Sequence, residues 1–354
     1  MPPSASTHAP AEAPAATARL KYVAAVRRAL REELRRDPRV FLMGQDVGAY
    51  GGIFTVTKGL FAEFGPERVR DTPIAENAMI GAAVGAAMVG ARPVVEIQFS
   101  DFIACGYDQL VNQAAKMRYM SGGQVSVPLV LRATTGGYLG FASQHMQTLF
   151  VLFASVPGLK VVAPSDAADA LGLMKAAIRD DDPVVFLEHK TLYGKAGEAP
   201  GEGVEHVVPL GRARVRRAGE TVTVVAISGM VPLALAAAEE LAEQEGIDVE
   251  VVDPRTLRPL DLGTIVASVR KTGRCVVVDE APVFCGYGAE VAAAVQEAAW
   301  ESLRGPVLRV GSAEAPVPAA PGIERVVLPS QERIADAIRR AATTAAGKEH
   351  HDGR

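Results

Sequence analysis

The apolar positions of this chain fall into two successive sets of alternating strands and helices. Residues 20–36 place Tyr22, Val23, Val26 and Leu30 on one helical face. The apolar run Val40-Phe41-Leu42-Met43, closed by Gly44, predicts a buried strand. A glycine-rich turn over 48–52 precedes a helix around 58–64. Residues 79–90, MIGAAVGAAMVG, predict a closely packed helix of small side chains, and 93–99, PVVEIQF, a strand. A helix over 108–119 and strands over 128–132 and 159–162 follow. Ser165 or Asp166 can cap a helix that runs to Arg179, and 184–187 is again a strand. Strands alternating with helices predict the α/β class, with a parallel, doubly wound sheet.

The rhythm breaks over 195–216, which is glycine- and charge-rich and reads as a linker. A second set resumes with strands over 221–227, 249–252, 274–278 and 307–310 and helices over 231–243, 261–269, 290–301 and 330–342. With 354 residues the chain exceeds one ordinary core, so two domains are expected, 19–194 and 217–342. The Ala/Pro/Ser-rich start, 1–18, has neither a secretion-signal nor an Arg-rich transit pattern and reads as a disordered tail, as does 343–354.

Composition narrows the function. Hydrophobic residues are 49%, charged residues 22%, and the net charge is -4. That balance gives no electrostatic reason to expect nucleic acid. The arginines at 27, 28, 35 and 36 sit among acids on a helix and read as a solvated face. No segment reaches the ~18 apolar residues that span a bilayer, so no membrane is expected. Cys105, Cys275 and Cys285 form no CxxC pair, which fits a reducing, cytoplasmic setting without a zinc site. GxSxG, HExxH, GxxxxGK[ST] and a well-placed GxGxxG are all missing.

Four polar side chains interrupt apolar surroundings between 71 and 148. Glu76 precedes the small-residue helix, where a carboxylate is stabilised by the helix dipole whatever else it does. Glu96 and Gln98 lie inside an apolar strand, as members of a polar network or as site residues. His145 follows a loop with glycines at 136, 137 and 140; a loop histidine is structural, solvated or catalytic.

Together, DTPIAENAMIGAAVGAAMVGARPVVEIQF, DQLVNQAAKMRYMSGG, VPGLKVVAPSDAADALGLMKAAIRDDDPVVFLEHKTLY and VVDPRTLRPLD resemble the beta subunits of thiamine-diphosphate-dependent 2-oxo acid dehydrogenases. That family includes the pyruvate, branched-chain and acetoin enzymes, and the resemblance runs from about residue 19 to 342. It implies a pyrimidine-binding, transketolase-like first domain and a transketolase-type C-terminal domain for subunit contact. Thiamine diphosphate would lie between alpha and beta subunits of an α2β2 assembly, with its diphosphate and Mg2+ held by alpha. The absence of a GDG motif from this chain agrees with that division. Glu76 matches the glutamate that hydrogen-bonds the pyrimidine and promotes its imino form. Ile74, Gln98 and Phe102 match its other neighbours. His145 matches the histidine near the reacting carbon, expected to act when the acyl group passes to a lipoyl group on an acyltransferase core. Leu129, Ala177, Ile178, Asp180 and Asp182 match a potassium site, for which a simple helix end is the alternative.

Two positions depart from the family. Gln45 stands where a glutamate usually follows the first strand, which predicts weakened proton coupling between paired sites or a substitute acid. Met146 replaces the hydroxyl residue after the histidine and adds apolar bulk that would bear on substrate preference. The expected activity is oxidative decarboxylation of a 2-oxo acid, or acetoin cleavage, together with an alpha subunit. A non-catalytic scaffold of the same family and a two-domain nicotinamide oxidoreductase are the alternatives; the latter needs a GxGxxG that the chain lacks.

Overall fold

The structure, a computed structural model, describes residues 17–344. Its first sheet has seven strands: Val40–Gly44 (β2), Val69–Asp71 (β3), Arg92–Phe99 (β4), Val130–Thr135 (β5), Lys160–Val162 (β6), Val184–His189 (β7) and Thr256–Arg258 (β12). Their order is β12-β6-β7-β5-β4-β2-β3, parallel except for β12. The central strands are buried on both faces, which is why β4, β5 and β7 read as nearly continuous apolar runs. One face packs against the Tyr22–Arg36 and Ala167–Arg179 helices through Val26, Leu30, Leu171 and Met174. The other packs Ile80, Leu110, Phe150 and Phe153 in a core continuous with Ile265, Val277 and Tyr287 of the second half.

The second sheet has five strands: Arg214–Arg217 (β9), Val222–Ala226 (β10), Val249–Asp253 (β11), Cys275–Pro282 (β13) and Leu308–Ser312 (β14). Ser330 caps the Gln331–Thr343 helix and Asp261 the Leu262–Thr272 helix, each side chain accepting from the backbone N–H three residues on. Asp166, rather than Ser165, caps the Ala167–Arg179 helix; Ser165 instead donates to the buried Asp253 of the second half.

Three sequence expectations change. Residues 20 and 21 are not helical: Thr17–Lys21 (β1) pairs antiparallel with Ala196–Pro200 (β8), so the end of the expected tail and part of the expected linker are strands. The linker also contains the start of β9. The short edge strand β12 crosses into the first sheet, pairing with β6. All four are short and carry charge, proline or glycine, so none shows the periodicity that marks a buried strand. The rest of the expected tails, 1–16 and 345–354, lies outside the described residues.

Inside the first sheet Arg132 is 1% exposed. It donates to both oxygens of Glu188, at 2.8 and 2.9 Å, and to Glu96 from the neighbouring strand. Tyr193 adds a 2.9 Å bond to Glu188. Burial pushes the Glu96 carboxyl above its usual range despite the pull of Arg132. Removing the guanidinium strands two buried carboxyls. We therefore expect Arg132→Met to lower stability by about 3–5 kcal/mol in urea unfolding; a loss under about 1 kcal/mol would show that the network contributes little.

Candidate active site

The candidate residues collect at the carboxyl edge of the first sheet, where open parallel sheets bind ligands. Gln45 follows β2, Glu76 opens the helix after β3, Gln98 lies near the end of β4, the 136–149 loop follows β5, and Lys190 follows β7. Glu76 begins the Glu76–Met88 helix after Ala75, which makes no side-chain cap. Its carboxylate is half-buried and accepts one long bond, 3.4 Å, from Gln45 Nε2. Beside it Ile74 is 82% exposed, a large apolar side chain with no cover from this chain.

A second group forms around Phe99. Its ring meets Phe102 edge-on at 6.0 Å and His145 at 4.7 Å, and Phe102 meets His145 at 5.2 Å. Phe102 and His145 are both half-buried, leaving each an open side. Gln98 is half-buried and its carbonyl accepts from Thr134 at 2.7 Å. Glu96, two residues earlier, is spent in the Arg132 network, so the strand carries one structural polar residue and one at the open edge. Met146 is buried.

The loop that carries His145 is held from several directions. Gly136 has φ +85°, and a Cβ there would come 2.1 Å from His189 Nε2, so only glycine fits. Gly137 N–H at 2.7 Å and Thr148 Oγ1 at 3.1 Å both donate to Glu280 Oε1. Gly140 N–H lies 3.4 Å from Glu324, and the Tyr138 hydroxyl donates to the Pro329 carbonyl at 2.7 Å. Gln147 donates twice to Asp101 Oδ1, from its side chain at 2.8 Å and its backbone at 3.3 Å. Burial raises the Asp101 carboxyl, and the Gln147 bonds pull it back only in part. Asp101, Lys190, Glu280 and Glu324 were not singled out as site residues in the sequence, because each belongs to the site only through contacts distant along the chain. The signal available was Glu188-His189-Lys190, three polar residues directly after the apolar run of β7.

The thiamine and potassium expectations separate on geometry. A half-buried carboxylate with an open oxygen, at the same sheet edge as exposed Ile74 and half-buried Phe102, fits a flat heteroaromatic ring that needs one charged hydrogen-bond partner. The potassium donors do not fit an added cation. Arg92 Nη1 donates to the Ile178 and Asp180 carbonyls at 3.0 and 2.9 Å. Lys160 Nζ sits 2.7 Å from both Asp180 oxygens, and Arg118 2.7 Å from Asp182. The Ala177 carbonyl accepts from Asp180 N–H at 3.3 Å, and that of Leu129 from Val184 N–H at 2.8 Å. Three of the protein's own cations already neutralise this cluster.

Residues 18–195 match the family described as "Transketolase, pyrimidine binding domain", and 211–334 match "Transketolase, C-terminal domain". The chain is 48% identical over 319 residues to pyruvate dehydrogenase E1 component subunit beta-1, mitochondrial, of Arabidopsis thaliana, covering 90% of this chain and 88% of that one. It is 45% identical over 332 residues to the beta subunit of acetoin:2,6-dichlorophenolindophenol oxidoreductase of Cupriavidus necator, covering 91% and 97%. Among solved structures it is similar to a split-gene transketolase in an inactive beta4 tetramer, with TM-score 0.71 and 26% identity, covering 91% and 97%.

Gln45→Glu would put a second carboxyl at the position from which an amide now donates to Glu76 across 3.4 Å. Two carboxyls that close share a proton and titrate in two steps, one lifted above the ordinary range. Carboxyl 13C NMR of the variant is expected to show that raised step; a titration identical to that of the unaltered chain would mean the two side chains do not meet.

Proposed function

The chain belongs to the beta subunits of the thiamine-diphosphate-dependent 2-oxo acid dehydrogenases, and on that premise we propose that it supplies the pyrimidine side of an active site completed by an alpha subunit. The observation that carries this reading is Glu76: a carboxylate at the open sheet edge, with only one long bond among the described residues and an uncovered isoleucine beside it. A partner is further supported by Ala78, Ala82, Gly85 and Val89, which leave one side of the Glu76–Met88 helix exposed and nearly featureless. Close approach of another backbone suits such a face. The finer reading is an α2β2 assembly in which the alpha subunit holds the diphosphate and Mg2+ and a lipoyl acyltransferase core receives the acyl group. The three cysteines are all free, which suits a cytoplasmic or otherwise reducing compartment. Among the described residues no helix is long and apolar enough to cross a membrane.

Thiamine diphosphate, when bound, supplies the electron sink that decarboxylation of a 2-oxo acid requires. Glu76 would hold the pyrimidine by a charge-assisted bond at one carboxylate oxygen, worth about 1.5–3 kcal/mol. Ile74, Gln98 and Phe102 would pack the ring and exclude water beside it. His145, fixed edge-on against Phe99 and Phe102, would hold or release a proton at its imidazole during acyl transfer.

Co-expression with the alpha subunit, followed by assay with pyruvate, branched-chain 2-oxo acids and acetoin in the presence of thiamine diphosphate and Mg2+, tests this. Activity is expected only from the pair. Glu76→Gln should lower kcat by about 10²–10⁴-fold, and turnover by the beta chain alone would overturn the shared-site reading. Gln45 donates to Glu76 and carries no titratable proton, so weak coupling between paired sites is expected. The burst amplitude per active site should therefore fall in Gln45→Glu as half-of-sites coupling appears, and equal amplitudes in the two proteins would remove the idea.

A further inference from the structure

We propose that Lys190 is a positioning residue for His145, fixing the imidazole from behind through the backbone and through the ring on which it packs. The inference deepens the preceding reading and rests on it for the role of His145. Lys190 is only 4% exposed, yet its ammonium donates to the backbone carbonyl of His145 at 2.8 Å. The same ammonium lies 5.5 Å from the centre of the Phe99 ring, whose edge-on partner at 4.7 Å is the His145 imidazole. One buried cation thus touches both supports of one side chain.

The opposite charge holds the same loop two residues further on. Asp101 takes the two Gln147 bonds through Oδ1, while its buried Oδ2 has no hydrogen-bond partner among the described residues. His145 and Gln147 are therefore gripped by a cation and an anion two residues apart in the loop. A buried lysine costs several kcal/mol in desolvation unless charges compensate it. Here the compensation comes from Asp101 in the turn after β4, Glu280 on β13 and Glu324 on the Pro321–Val327 helix. No surface packing role requires an ammonium here; a leucine or methionine would fill the volume without that cost.

Desolvation lowers Lys190 to about 8, against the raising pull of Asp101, Glu280 and Glu324. Above that pH the amine is neutral and the grip loses its charge-assisted strength. Acyl transfer should then fall on the alkaline side.

The test uses the full-length chain, alone and assembled with its alpha subunit, carrying Lys190→Met, Lys190→Gln or Lys190→Arg. Hydrogen exchange of the full-length chain without cofactor should quicken across 142–148 in Lys190→Met, with little change in the Arg132 strand. In the assembled enzyme, Lys190→Met should lower acyl transfer to a free lipoyl domain by about ten- to a hundredfold relative to decarboxylation read with an artificial electron acceptor, the scale expected for a misplaced catalytic group. Lys190→Gln, which keeps a donor without charge, should recover part of that loss. Lys190→Arg, charged throughout the range, should move the alkaline limb upward. Unchanged exchange together with an unchanged ratio of the two rates would overturn the proposal. If His145→Ala leaves acyl transfer intact, the reading of His145 fails instead, and the exchange measurement alone decides whether Lys190 orders the loop.

Discussion

The carboxylate of Glu280 ties the two halves of this molecule together at the site. It comes from β13 of the second sheet, is 3% exposed, and accepts from His189 Nε2 at 2.6 Å, from Gly137 N–H and from Thr148. Thr191 N–H points at His189 Nδ1 across 3.4 Å, which places the ring proton on Nε2, facing Glu280. Burial alone would raise this carboxyl, but His189 and the loop donors hold it below its ordinary value. A buried anion with three donors is fixed in place, because leaving it without them costs more than the bonds contribute. The second domain therefore shapes the 136–149 loop directly, beyond the role of subunit contact that the family resemblance implies for it.

That constraint explains how a chain without a complete catalytic motif can still be a rigid half of one. The sheet core is closed by Arg132 with Glu96 and Glu188, a polar arrangement that is satisfied internally and offers nothing to a ligand. At the carboxyl edge the balance reverses. Glu76 has spare acceptor capacity, Ile74 is uncovered, and Phe102 and His145 keep open sides. Internally satisfied polar groups make a scaffold, whereas underused ones beside exposed apolar surface make a binding edge.

The legible part of the site was the part held by local sequence. Glu76 stands beside its strand–helix junction, and Phe102 and His145 in recognisable segments, so their numbers could be read from the chain. Gln45 was visible as a departure from the family; its bond to Glu76 was not, since the two residues are 31 apart. Asp180 and Asp182 were equally visible, but their ion pairs with Lys160 and Arg118, 20 and 64 positions away, were not. Lys190 sat in plain view after β7 and gave no sign of its partner 45 residues earlier.

By itself the sequence determined the two alternating α/β sets, the apolar strands of both sheets, and the identity of the chain's family, because buried strands and long helices write their periodicity into neighbouring residues. Only the tertiary structure decided the pairing of β1 with β8, the passage of β12 into the first sheet, and the enclosure of the His145 loop by Asp101, Lys190, Glu280 and Glu324. Edge pairing and buried charge compensation depend on which distant groups are brought within a few ångströms, and no local pattern records that distance.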